Sequence, residues 1–474
     1  MQPVDVDAIS GNPDVPGEVY LIKQNDSDES TTIVLSPQPS NDPNDPLNWP
    51  LWRKMVNWML VFSVTVTVFT SLSIQTNFWQ QMSPELKISF KQLNYAQSTN
   101  LAGLALGCIF FIPLTKKYGR RLTYILATAV MAAMAFWSYR LDSLAELYIA
   151  NLINGLAGAT NETISQMTIS DLFFVHQRGR INALYLTAVM VGTFLTPLVA
   201  GVQAQNQGWR ASYLTLGICL VVLVFLFIFT FEETKYVPIL EAATPQPSQT
   251  PANIPETDTN AKSAQDERKT VFDHATTRSF TNGAQPRPKT YRERLRFLTP
   301  TSESLWQLFA FPLHVIWLPH VLFTALQYAA GIIWLSVMAS MTSRIFSAPP
   351  YTFNTAQLGY MGLGPFTGNL IGSIYAGVAS DWAVTYLSKK NGGWYQPEFR
   401  LWPLIIPAFF QAGGLIMFGT TADRGMHWIY PSIGGAFFAF GLGAMGDITF
   451  TFVIDTYRPV SGPFLQAIAN KSRP

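Results

Sequence analysis

The sequence predicts an all-α membrane protein, and three observations carry that prediction. Of its 474 residues, 49% are hydrophobic and only 13% are charged, against roughly 25% charged in an ordinary soluble domain. Apolar runs close to the roughly 20 residues needed to span a bilayer recur ten times. They form a group of six and a group of four, with a long polar segment between.

Residues 1–54 are polar, rich in Asp, Asn and Pro, carry no secretory signal and read as a disordered tail. Spans one to six follow near 56–78, 95–115, 122–140, 146–170, 181–204 and 212–231, so that 55–231 forms a six-helix half. Residues 232–304 form a linker. Its "EAATPQPSQTPANIPETDTNAKSAQDERK" is expected to be disordered, and its basic "YRERLRF" is expected on the membrane surface. Spans seven to ten lie near 309–341, 355–379, 402–420 and 428–454, giving a second half of four spans over 305–456 and a polar end over 457–474.

Basic residues sort by side. One set of connections holds Lys116, Lys117, Arg120 and Arg121, then Arg178 and Arg180, then Lys389, Lys390 and Arg400. The alternate connections hold mostly single cations: Arg140, Arg210, Arg344 and Arg424, with Lys87 and Lys91 in the first. The basic side is expected to be cytoplasmic, together with the N-terminal tail.

Other chemistries find no support. A net charge of +2 gives no sign of nucleic-acid binding. Cys108 and Cys219 sit within apolar runs and read as small hydrophobes. The five histidines lack metal-ligand spacing, and neither a phosphate-binding Gly-x-x-x-x-Gly-Lys-Ser/Thr nor a Gly-x-Ser-x-Gly occurs. No metal, no cofactor and no enzymatic activity are expected.

The informative feature is "NLINGLAGATNETISQM", which puts Glu162 near the middle of span four. A central charge costs about 2.5–3.5 kcal/mol on insertion scales. At 100° per residue, Asn151, Gly155, Gly158, Glu162 and Gln166 share one face, with Asn154 and Ser165 beside it. Such a face is expected against other helices or a water-filled cavity. Span ten offers a second acid in "GLGAMGDITFTFVID": Gly443, Asp447 and Thr451 follow at one-turn spacing, with Asp447 read as nearer the membrane edge. In span seven, Gln327, Tyr328, Gly331 and Trp334 have the spacing of one face and could form an aromatic and amide wall.

Several stretches carry a family resemblance: "DPNDPLNWPLWRK", "DLFFVHQRGR", "GWRASY", "FEETKY", "APPYTFN", "ASDW", "NGGWYQPEFRLW" and "FVIDTYRP". Over about 45 to 460 the chain resembles the fungal major facilitator superfamily, in particular its drug:proton antiporters with twelve spans. The branches of that family include polyamine and histidinol transporters and secondary-metabolite efflux pumps. The resemblance implies a major facilitator fold of two six-helix halves, with spans one, four, seven and ten lining a central cavity. It implies that Glu162, Asp447, Asn154, Gln166, Gln327, Tyr328 and Trp334 are candidates for binding substrate or protons.

It further implies a gating role for "KKYGRR", where Gly119 permits a sharp turn before Arg120 and Arg121. Lys116 stands where the family has Asp, so the usual latch between halves cannot form. Asp381 in "GVASDW" is the cognate acid, and Arg178 lies in the loop after span four. "GTFLTPLVAG" resembles the antiporter motif through Gly192, Pro197 and Gly201, with Thr196 replacing a Gly. The implied function is a proton-coupled, alternating-access transporter of a plasma membrane, acting as a monomer on a small molecule. Efflux of a secondary metabolite or drug is the first reading and transport of a polyamine or other organic cation the second. Because only four spans follow the linker, the second half is expected to be truncated, and a non-transporting sensor or degenerate product is the reading from another class.

Overall fold

The computed structural model describes residues 19–20, 42–236, 290–296, 309, 318–391 and 394–456. Ten long helical spans account for most of them. Span one runs over Leu51–Ser73 and continues through a tight turn, Ile74–Phe78, into Trp79–Leu86. Spans two, three and four are Phe90–Tyr118, Arg120–Tyr139 and Leu144–Leu172. Span five joins Val175–Met190 to Thr196–Gln207 through a π turn at Val191–Leu195, and span six is Trp209–Phe229. Span seven is Pro319–Ser347, span eight Thr355–Tyr360 with Leu363–Lys390, span nine Pro397–Leu404 with Ile405–Asp423, and span ten Ile429–Thr456. Eight of these are long and apolar enough to cross a membrane, whereas span four and the main helix of span eight are long enough but more polar.

The first half is built around a glycine seam. Span two lies along span four so closely that a Cβ on Gly155 would stand 2.0 Å from the Asn100 carbonyl oxygen, and one on Gly103 2.2 Å from that of Leu152. Small residues permit such approach where lipid supplies no hydrophobic drive between helices. Span three packs on span six, where Tyr124 stacks on Phe227 with centroids 5.2 Å apart. Spans eight and ten repeat the seam: a Cβ on Gly368 would stand 1.9 Å from the Ala436 carbonyl oxygen.

The tail, the turn between spans two and three, the segment after span six and the loop before span nine gather at one end, called here the basic end. The structure corrects two expected boundaries there. Residues 42–54 of the expected disordered tail are structured, with Asp45 capping a short helix at Pro46–Asn48 and span one beginning at Leu51. The linker's first residues, Glu232–Tyr236, and its turn at Tyr291–Arg294 are docked on the first half. Most of the expected disordered tail, most of the linker and the polar end over 457–474 lie outside the described residues. Val19–Tyr20 pairs antiparallel with Trp394–Tyr395.

At the opposite, far end the two halves meet. Gly201 faces the Thr355 carbonyl, Gly359 faces Leu198, and Gly362 faces the Phe194 carbonyl, each with room for no Cβ. Ser340 on span seven donates to Asn94 on span two at 3.1 Å.

Candidate functional site

Helix geometry sets the depth of the acids. Glu162 lies ten residues from the basic end of span four and Asp447 nine from that of span ten. At 1.5 Å per residue both are about 13–15 Å deep. By this count Asp447 is nearer the basic end than Glu162 by one residue, about 1.5 Å, so the two acids stand at almost the same depth. Tyr328, nine residues from the start of span seven, reaches the same level.

These three come together. Tyr328 lies within electrostatic reach of both Glu162 and Asp447, and its ring faces Gly446, where a Cβ would be 3.7 Å away. Tyr328 is 53% exposed, an accessible ring within reach of the two acids. Glu162 also senses Cys108 on span two and Tyr185 on span five. No hydrogen bond or ion pair reaches the Glu162 carboxylate among the described residues. Asp447 faces the Ser373 hydroxyl of span eight without a well-formed bond to it. Each carboxylate is thus half-buried and outside any ion pair among the described residues.

The other predicted residues divide. Gln166 is half-buried one turn closer to the basic end. Gln327 turns to span ten, its amide 3.5 Å from the Met445 sulfur, and Gly331 packs against Leu442. Asn154 is buried away from the cavity and accepts from Ser71 at 3.1 Å, so it serves the contact of spans one and four. Trp334 is also displaced from the site, lining a separate groove between spans seven and nine. The predicted face of span seven therefore splits between three environments. Cys108 and Tyr185 escaped the sequence reading because an isolated thiol or phenol in an apolar run carries no signal.

The antiporter-like stretch of span five is held by span one. Pro197 has no N–H to donate to its own helix, and the π turn at Val191–Leu195 lies just before it. The Thr196 hydroxyl donates to the Gly192 carbonyl at 2.8 Å and contacts Thr70. Ser73, Asn77 and Gln81, at roughly one-turn spacing on span one, donate to the carbonyls of Gly192, Pro197 and Ala204. Gly192 fits because a Cβ there would be 2.6 Å from the Val66 carbonyl, and Gly201 provides the contact with span eight.

At the basic end, Gly119 adopts φ 112°, a conformation suited to glycine, and lets span three start directly after span two. "FEETKY" fastens this turn. Glu233 accepts from the backbone N–H groups of Arg120 and Arg121, at 2.9 and 3.2 Å, capping the N-terminus of span three. Lys235 donates to the last carbonyls of span two, Lys116 at 2.6 Å and Lys117 at 3.0 Å. An anion at a helix N-terminus and a cation at a C-terminus both match the helix dipole. Arg120 pairs with Asp171 of span four at 3.0 Å. Buried Arg121 donates to the carbonyls of Leu295 and Ile228, and Glu232 makes a two-pronged ion pair with Arg53. These contacts join the first half to itself, to Arg53 at its start and to the linker that follows it. Asp381, nine residues before the end of its helix, is 82% exposed and 3.9 Å from Arg400, a loose pair. The side chain of Arg178 lies outside what the structure describes.

A family model, the Major Facilitator Superfamily, matches residues 61–470. An uncharacterized MFS-type transporter of Schizosaccharomyces pombe is 30% identical, the alignment covering 97% of this chain and 84% of the relative. The protein HOL1 of Saccharomyces cerevisiae is 25% identical over 90% of this chain and 80% of its own length. The partially occluded, inward-open xylose transporter XylE of Escherichia coli shares the fold, with a TM-score of 0.53, 12% identity and coverage of 85% of this chain and 84% of that one. With ten spans arranged in this manner, and a sequence match over most of its length, the chain belongs to the Major Facilitator Superfamily and is a transporter.

Proposed function

We propose that this transporter is proton-coupled and moves a small organic compound by alternating access, with efflux of a secondary metabolite or drug as the first reading. The observation that carries it is Glu162: a half-buried carboxylate with no hydrogen bond or ion pair among the described residues, within electrostatic reach of Tyr328, which Asp447 also reaches. An acid in that position gains a proton from one side and releases it to the other as access alternates. The contacts at the far end favour a state in which the cavity faces the basic end. The excess of Lys and Arg supports placing that end, and the N-terminal tail, in the cytoplasm of a plasma-membrane protein. We take the monomer as the working unit.

Transport of a polyamine or other organic cation is the second reading. Two unpaired carboxylates beside an accessible tyrosine ring suit a cation by charge and by cation–π contact. The test is reconstitution of the purified protein into vesicles with an imposed pH gradient, assaying amphipathic and polyamine substrates. Gradient-driven flux that disappears in Glu162→Gln while the protein still inserts is the expected result. Undiminished flux in that variant would refute the role of Glu162, and ligand binding without flux would favour a sensor.

A further inference from the structure

The loop before span nine, "NGGWYQPEFRLW" in the sequence, lies at the basic end and is fastened to the second half. Arg400 donates to the Ser380 hydroxyl of span eight at 2.9 Å, and Tyr375 of span eight donates to the Pro403 carbonyl at 3.1 Å. Within this loop the strand Trp394–Tyr395 pairs antiparallel with Val19–Tyr20 of the N-terminal tail, Val19 opposite Tyr395 and Tyr20 opposite Trp394. The tail's "EVYLI" suits that role, because Val, Tyr and Ile favour strands. Farther along, the same tail is fastened to the first half. The Tyr236 hydroxyl donates to Asp42 at 3.1 Å, Lys54 donates to the Leu47 carbonyl at 2.9 Å, and the Arg53 guanidinium lies 3.7 Å from the centroid of the Trp49 ring. One tail thus holds both halves at the basic end. Only 21 residues separate Tyr20 from Asp42, so docking is intramolecular, and its effective concentration sustains even a two-residue pair.

We propose that the N-terminal tail is a regulatory strap: docked as a strand on the loop before span nine, it favours the state in which the far ends touch and the basic ends stand apart, and its release lets the basic ends close. This rests on the alternating-access reading above. The strand pair belongs to the state in which Ser340 meets Asn94 and Gly201 meets Thr355 at the far end. A contact made in one state and lost in the other shifts the balance toward the first by its own free energy. The docking mode is strand addition, in which backbone hydrogen bonds supply the affinity. So short a pair is a bias and not a lock. One net backbone hydrogen bond corresponds to about fivefold in the ratio of the two states, enough to slow the cycle without stopping it.

The test has two readouts on the full-length protein in lipid nanodiscs, with Cys108 and Cys219 replaced by serine. The first is disulfide formation. Val19→Cys with Tyr395→Cys, and Tyr20→Cys with Trp394→Cys, place the thiols opposite each other, and one of the two pairs has the narrower spacing and should crosslink within the chain. Val19→Cys with Trp394→Cys points the thiols to opposite faces and should not. The second readout is the distance between spin labels at Ser170→Cys on span four and Lys389→Cys on span eight, both exposed at the basic end, by double electron–electron resonance. Val19→Pro with Tyr20→Pro, or removal of residues 1–22, should raise the ratio of the shorter to the longer distance about fivefold. No register-specific crosslink, crosslinks formed only between two chains, or a distance distribution unchanged by both tail variants would each overturn the strap. A tail-dependent balance without any gradient-driven flux would instead refute the transport reading and leave the strap standing.

Discussion

The two halves share a seam and differ in how it is covered. In the first, spans five and six lie over spans one and three. Within the most apolar stretch of span one 44% of residues are buried inside the protein, and within that of span three 39%. In span seven, which corresponds to span one, the share is 11%, and in span nine, which corresponds to span three, 22%. Among the described residues no helix covers spans seven and nine as spans five and six cover their counterparts. Yet Glu162 and Asp447 stand at nearly equal depth. In both halves a seam of small residues holds the helix that carries the acid.

The comparison can be broken or sharpened by experiment, and the largest effect is expected at the acids. Glu162→Gln should eliminate pH-driven accumulation in vesicles, whereas Asp447→Asn, beside Ser373, should leave measurable flux. Equal loss in both variants would show that the two acids act as one unit. Next come the seams. Gly155→Leu and Gly368→Leu each force a side chain into a facing backbone, and each should destabilise by about 3 kcal/mol, read by denaturant or thermal unfolding in detergent. Markedly unequal losses would show that cover, and not the seam alone, determines stability.

A smaller effect is expected at the basic end. Glu233→Ala removes the cap from two backbone N–H groups of span three, at a cost of about 1–2 kcal/mol. Asp381→Ala, the comparable loss in the second half, should cost less than about 0.5 kcal/mol because that pair is exposed and long. The same unfolding assay measures both, and a larger cost at Asp381 would contradict the account of the first half as the more tightly fastened.

Much of the fold was legible because insertion into lipid imposes strong rules. The ten spans and the six-plus-four grouping follow from run length and polarity, and Glu162 stood out because an acid in an apolar run is costly. What was not legible depended on partners remote in sequence. Asn154 has the spacing of a cavity residue, but Ser71 on another helix claims it. Trp334 has the spacing of Tyr328, but the gap between spans seven and nine decides where it points. "FEETKY" could be quoted as a signature without its task being visible, since Glu233 caps a helix that begins 113 residues earlier.

That separation has a consequence for biogenesis. While the chain is being synthesised, the turn at Gly119 leaves the ribosome with uncapped helix ends, and its cap does not yet exist. At about 5–20 residues per second, the 113 residues from Arg120 to Glu233 take about 6–23 seconds to make. Only then do Glu233 and Lys235 arrive and seal the six-helix unit. The segment after span six thus acts as a keystone set last, and the first half is finished as a body before most of the second has been translated.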